Sequence, residues 1–254
     1  MSEAIPVLAV GGPTVVFEYG GLRFVTDPTF DPPGEQPRRL VKLTGPAVAP
    51  DAIGPVDVVL LSHDHHPDNL DTAGRAFLAR ADRVLTTAEG AKRLGRDANG
   101  LQPWQRVDLE RPDGFLTVTA VPALHGPEGS DPVMGPVIGF VLTGDGLPSI
   151  YVSGDNASTD LVRAIAARLG PIELAILFAG AARLEHRLNG AQLTLTSEDA
   201  AEAARILGAR AVVPAHVDGW AHFTEGAGEL RAAFEAAGLS DRLALAEPGE
   251  RIAV

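Results

Sequence analysis

The sequence predicts a mixed α/β fold, and three observations carry that reading. Short apolar runs of strand length recur in both halves of the 254-residue chain, separated by clusters of Gly, Pro, Asn and Asp. Windows with helical spacing and sensible start signals fall between them. Several of the strand-like runs end directly in a histidine or an aspartate, and in open α/β architectures ligand sites collect beyond one end of the strands.

Taken in order, strands are predicted over residues 6–10, 14–19, 22–26 and 56–62, the second and third joined as a hairpin by Gly20 and Gly21. A helix is predicted from Asp71 to Ala79, with Asn69 or Asp71 as its cap; Asp71 suits the first turn better, and Asn69 stays open. Further strands are expected over 83–86, 105–109, 116–122, 137–142 and 149–152, and helices over 88–94, 160–169, 197–207 and 229–237. Thr196, Ser197, Glu198 and Asp199 form a helix entry that places carboxylates at its positive end. The Pro- and Gly-rich segments 31–37 and 126–132 read as connections, and the second, directly after His125, is positioned to shape a pocket mouth. Neither resembles a domain linker, so one domain over residues 1–254 is the expectation.

The chemistry concentrates at His63-Asp64-His65-His66, where three of the seven histidines occupy four positions immediately after the apolar run Val58-Val59-Leu60-Leu61. Residues two apart on an extended segment face the same side, so His63 and His65 are expected to offer imidazole nitrogens to one ion while Asp64 points away. Imidazole is a neutral metal ligand with an unperturbed pKa near 6.5. Three further runs repeat the pattern: 118–124 leads into His125, 149–152 leads through Ser153 and Gly154 into Asp155, and 211–215 leads into His216.

Composition narrows the function. With 45% hydrophobic residues the chain can bury a sizeable core. Cysteine is absent, so disulfides and thiolate ligands are excluded and a metal must be held by His, Asp or Glu. A net charge of −12, from 33 acidic and 21 basic residues without a basic run, argues against a nucleic-acid surface and for a small-molecule substrate. No stretch has transmembrane length, and residues 1–6 lack the basic start and apolar core of a secretory signal. A soluble cytoplasmic protein is therefore expected.

With these segments in view, the sequence resembles a metallo-β-lactamase-fold hydrolase, nearest to the branch that includes L-ascorbate-6-phosphate lactonase. The resemblance runs from Thr14–Tyr19 and the Thr26-Asp27-Pro28 turn through Ser62-His63-Asp64-His65, His125 and Asp155 to residues 214–220. It implies a four-layer αββα sandwich built from two similar halves. It also implies that His63, His65 and His125 bind a first metal ion, and that Asp155 bridges to a second ion held by His216. The family pattern H-x-H-x-D-H is broken here, because Pro67 stands at the usual Asp and Asp68 at the usual second-site His. Proline carries no ligand atom. Three readings stay open, in this order: the loop is displaced and Asp68 supplies the carboxylate; His66 turns inward; or only one ion binds.

The expected cofactor is one or two divalent ions, zinc foremost, with manganese or iron as alternatives. The expected reaction is attack by a metal-bound hydroxide on a small ester, lactone or phosphoester, with ester or lactone favoured. Asp68 is expected to orient the nucleophile or carry its proton. His222 is expected to assist the leaving group, a packed or supporting role being the competing reading. Asp27 is expected to support a ligand histidine or simply to start its turn, and His186, among charged neighbours, to lie at the surface. The competing functions are a metal-binding member without turnover and a di-iron redox protein.

Overall fold

The computed structural model describes residues 4–95 and 98–254. The first three residues, on which part of the signal-sequence expectation rests, lie outside them. The first half supplies β1 (Pro6–Gly11), β2 (Thr14–Tyr19), β3 (Leu22–Thr26), β4 (Gly34–Gln36), β5 (Leu40–Lys42), β6 (Val56–Leu60), α1 (Thr72–Phe77), β7 (Ala81–Thr87), α2 (Ala88–Leu94) and β8 (Ala98–Leu101). The second half supplies β9 (Arg106–Arg111), β10 (Gly114–Pro122), α3 (Asp131–Met134), β11 (Ile138–Gly144), β12 (Ile150–Val152), α4 (Thr159–Leu169), β13 (Leu174–Phe178), α5 (Ser197–Leu207), β14 (Ala211–Ala215), α6 (Ala227–Ala236) and β15 (Arg251–Ala253).

Two large sheets result, one ordered β15-β1-β2-β3-β6-β7-β8 and the other β14-β13-β12-β11-β10-β9. Each begins as an antiparallel meander and continues with parallel strands: β3, β6, β7 and β8 in the first, β12, β13 and β14 in the second. The halves are therefore alike in construction, as the resemblance implies.

Strand alternation explains the layering. In β6, Val58 and Leu60 join the cluster shared by both sheets with Phe17, Phe24, Phe140 and Phe178, while Val59, and Leu61 just after the strand, join the cluster of Phe77 of α1. In β13, Ile176 and Phe178 point into the same inner cluster, while Ala175 and Leu177 meet Val162 of α4, Leu207 of α5 and Phe234 of α6. The order helix, sheet, sheet, helix is the expected αββα sandwich.

Helix starts follow local chemistry. Asp71 caps α1 by accepting from Gly74 N at 2.7 Å, as the sequence suggests, and Thr196 and Asp199 form a capping box on α5. Asp71 also accepts from Phe30 N, Asp31 N and the buried Lys42 Nζ, the last at 2.8 Å. One carboxylate thus ties α1, the loop after β3 and the β4–β5 hairpin together.

Three expectations change. Segment 31–37 is not merely a connection, because β4 pairs with β5 in a small hairpin. The apolar run of β13 carries a central strand not foreseen. The strand expected over 56–62 ends at Leu60, and the backbone then bends and turns through residue 70. That early ending decides the geometry of the site.

Candidate metal centre

Four connections bring the chemistry to one edge of the sandwich: those leaving β6, β10, β12 and β14. Ile138 N donates to Ser62 O at 3.2 Å, tying the two sheets at this edge. Asp155 is positioned by Gly154, whose φ of +57° suits glycine and whose Cβ position lies 2.7 Å from both Ile138 O and Ser62 Cβ. His216 sits at φ +59°, held by its N–H donating to Gly12 O at 2.7 Å and by Phe178 stacked on its ring. A non-glycine residue in that conformation is strained, and such strain concentrates at functional sites.

His63, His66, His125 and Asp155 bring ligand-type atoms within 4.8 Å of one another, and Asp68, Asp155 and His216 form a second such group. Asp155 belongs to both. All six side chains are buried. Hydrogen bonds fix the imidazole tautomers. His125 Nδ1 faces Leu193 O at 2.8 Å, and a carbonyl only accepts, so the proton is on Nδ1 and Nε2 carries a lone pair. Asp27 Oδ2 accepts the Ser62 hydroxyl at 2.5 Å, so Ser62 Oγ accepts from His63 Nδ1 at 2.9 Å, and the lone pair is left on His63 Nε2, which His66 Nδ1 approaches at 2.8 Å. His125 Nε2 then lies 3.5 Å, and His63 Nε2 3.9 Å, from Asp155 Oδ2, a buried oxygen without a hydrogen-bond partner among the described residues.

Lone pairs converging on a buried anionic oxygen repel unless a cation lies between them. In the second group His216 Nε2 is 3.4 Å from Asp68 Oδ2 and 3.5 Å from Asp155 Oδ1, and it too lacks a partner among the described residues. The donor set of imidazoles and carboxylates therefore fits divalent ions in both groups.

The electrostatics agree. Burial holds His63 and His66 well below the ordinary histidine range, and the neighbouring imidazoles push them further, so both are neutral ligands. Burial pushes His216 down, but Asp155 and Asp68 outweigh it and raise the group overall. Burial pushes Asp68 up, yet His222 and His216 hold it well below the usual carboxylate range. Burial raises the Asp27 carboxyl to about 7 against the pull of donors from Ser62 and Asn69.

His65, expected to pair with His63, is in neither group. Its Nε2 donates to Met134 O at 2.6 Å, and its ring packs over Gly135, where a Cβ would stand 2.4 Å from Nε2. The two-residue alternation fails because β6 has already ended. In the turn that follows, Asn69 N and Leu70 N donate to His66 O, and the inward pair becomes His63 and His66, three positions apart, with His63 Nε2 and His66 Nδ1 2.8 Å from each other. Of the residues left open by Pro67, His66 lies in the first group and Asp68 in the second.

Asn69 lies between Asp27 and Asp155. Its Nδ2 donates to Asp155 Oδ1 at 3.1 Å and Asp27 Oδ2 at 3.0 Å, while its Oδ1 is buried without a partner among the described residues. His222 Nε2 donates to Asp68 Oδ2 at 2.8 Å. His186 is exposed. Sequence reasoning missed Ser62, the Leu193 carbonyl and the stacked Phe178. A hydroxyl beside the first ligand histidine was the one readable signal among them.

Comparisons with known proteins give the family and the fold. Residues 22–217 match the model of the beta-lactamase superfamily domain. A protein of Pelotomaculum thermopropionicum named UPF0173 metal-dependent hydrolase is 30% identical over 202 residues, 76% of this chain and 81% of the relative. One of the same name from Methanoculleus marisnigri is 31% identical over 202 residues, 78% of this chain and 82% of the relative. The crystal structure of an isothiocyanate hydrolase from Delia radicum gut bacteria superposes with a TM-score of 0.82 at 20% identity, covering 98% of each chain.

Proposed function

Because the chain belongs to the beta-lactamase superfamily, we propose that it is a metal-dependent hydrolase acting on a small molecule, with an ester or lactone favoured over a phosphodiester. The observation that carries this reading is the shared Asp155, on whose oxygens ring nitrogens of His63, His125 and His216 converge. His63, His66, His125 and Asp155 would hold one ion; Asp68, Asp155 and His216 would hold the other. When bound, the ions supply Lewis acidity, lowering the pKa of water towards neutrality and polarising the bond under attack. Zinc is the ion favoured for the imidazole-rich group.

The protein's own groups then divide the remaining work. Asp27, through Ser62, keeps the proton of His63 on Nδ1, away from the site, and the Leu193 carbonyl does the same for His125. Asp68 carries an Oδ1 without a hydrogen-bond partner among the described residues, free to orient water. His222 holds a proton on Nε2 against Asp68 Oδ2, from which a leaving oxygen can be protonated. Leu40, Leu193 and Met134 wall the recess above these groups and limit water entry.

We read residues 1–254 as one such catalytic unit in a cytoplasmic protein without nucleic-acid partners; the net charge of −12 supports the last point. No helix among the described residues is long and apolar enough to cross a membrane. Metal analysis with hydrolysis of generic esters, lactones and phosphodiesters before and after chelation tests the function. Two ions per chain and chelator-sensitive ester or lactone turnover are expected. Fewer than one ion per chain with no turnover would leave a metal-free, non-hydrolytic protein.

A further inference from the structure

The recess that opens onto Asp68, His66, His125 and His222 is narrow and mostly apolar, but two arginines, Arg38 and Arg187, complete its lining. Arg38 is exposed and Arg187 half-buried, and neither guanidinium is engaged by a carboxylate of the recess. Asp68 is the one carboxylate in the lining, and its Oδ2 already accepts from His222. Asp64, beside the neighbouring recess that Arg38 also borders, is committed to Arg93.

Arg38 is presented on an anchored element. It lies between β4 and β5 at φ +62°, a left-handed conformation that costs an arginine energy. The hairpin cannot relax it away, because Leu43 N donates to Gly219 O at 2.7 Å and Ala221 N to Val41 O at 3.0 Å. Lys42 is buried against Asp71 as well. Arg187 comes from the opposite wall in a turn closed by its own N–H to Leu184 O and by Gly190 N to its carbonyl, at 2.9 and 3.0 Å.

An arginine fork matches the oxygens of a carboxylate or phosphate, and its bond to an oxyanion is about twice as strong as a neutral one. We propose that the substrate carries an oxyanionic group on a short apolar body, the anion held by Arg38 and Arg187 and the body by Leu40, Leu184 and Leu193, with the scissile bond placed over Asp68 and His222. Arg38 and Arg187 are specificity-determining residues; they take no part in bond making. This inference rests on the hydrolase reading, to which it adds a substrate class.

The test compares two esters of similar length on the metal-loaded protein, 4-nitrophenyl butyrate and the mono-4-nitrophenyl ester of succinate, in wild type and in an Arg38→Gln, Arg187→Gln double variant with metal content checked in both. The expected result is a kcat/KM for the succinate ester at least about tenfold above that for the butyrate ester, with the preference lost in the variant chiefly through KM. Calorimetric binding of succinate and of phenyl phosphate to metal-loaded protein is the second arm, and it separates carboxylate from phosphate preference. It also stands apart from turnover. If neither ester is hydrolysed, the ester reading of the function fails, while binding at least about tenfold weaker in the variant still supports this inference. An equal or higher kcat/KM for the butyrate ester, or anion binding unchanged in the variant, would overturn it.

Discussion

The two ligand groups meet at Asp155 but are made of different chemistry. The group after β6 and β10 gathers three imidazoles and one carboxylate; the group completed by β14 gathers two carboxylates and one imidazole. Each histidine of the first whose tautomer is set by a protein partner is oriented by a hydrogen bond it donates, His63 Nδ1 to Ser62 Oγ and His125 Nδ1 to Leu193 O. His216 has no such partner on either ring nitrogen among the described residues and is held by packing against Phe178 and Phe223 instead. The lesson is that one shared carboxylate can join a rigid, nitrogen-rich site to an oxygen-rich one whose remaining anchor is strained backbone. The two groups should therefore differ in ion preference and in tenacity.

The largest effect is expected at the shared residue. Asp155→Ala removes a ligand from both groups, and because a Lewis acid contributes several kcal/mol to such a reaction, turnover should fall by at least about a thousandfold. Metal content should fall with it, and mass-spectrometric metal analysis beside steady-state rates checks both. Next comes a paired test of the corrected ligand set. His66→Ala should lose the first ion and about a hundredfold or more in rate, whereas His65→Ala should keep both ions, since His65 bonds to Met134. The reverse outcome would restore the two-residue pattern.

Smaller effects sharpen the contrast. Ser62→Ala leaves His63 Nδ1 without its acceptor and should weaken the first ion by about ten- to a hundredfold, measured by competition with a chromogenic chelator, while leaving the second less affected. Asn69→His adds an imidazole at the second group and should raise retention of the second ion several-fold under graded chelation. If the variant instead bound it more weakly, the Asn69 bridge between Asp27 and Asp155 would be an obligate part of the centre.

Much of this centre was legible before the fold was known. His125, Asp155 and His216 each follow an apolar strand run, and strand ends converge in this architecture whatever their separation in sequence. Asp71 was readable as a cap from its position alone. His65 falls in neither group because side-chain alternation does not continue past the end of β6 at Leu60. The Leu193 carbonyl was invisible for a deeper reason: any residue can offer a backbone oxygen, so only three-dimensional proximity reveals it. Arg38 and Arg187 likewise gain meaning only when the β4–β5 hairpin and the segment near residue 187 close over the same recess.

The central claim is most directly tested by anomalous diffraction from crystals grown with added zinc or manganese. The account predicts two peaks on either side of Asp155, one within ligand distance of His63, His66 and His125, the other beside Asp68 and His216. Peaks bound by His65, or no peak near Asp155, would contradict it.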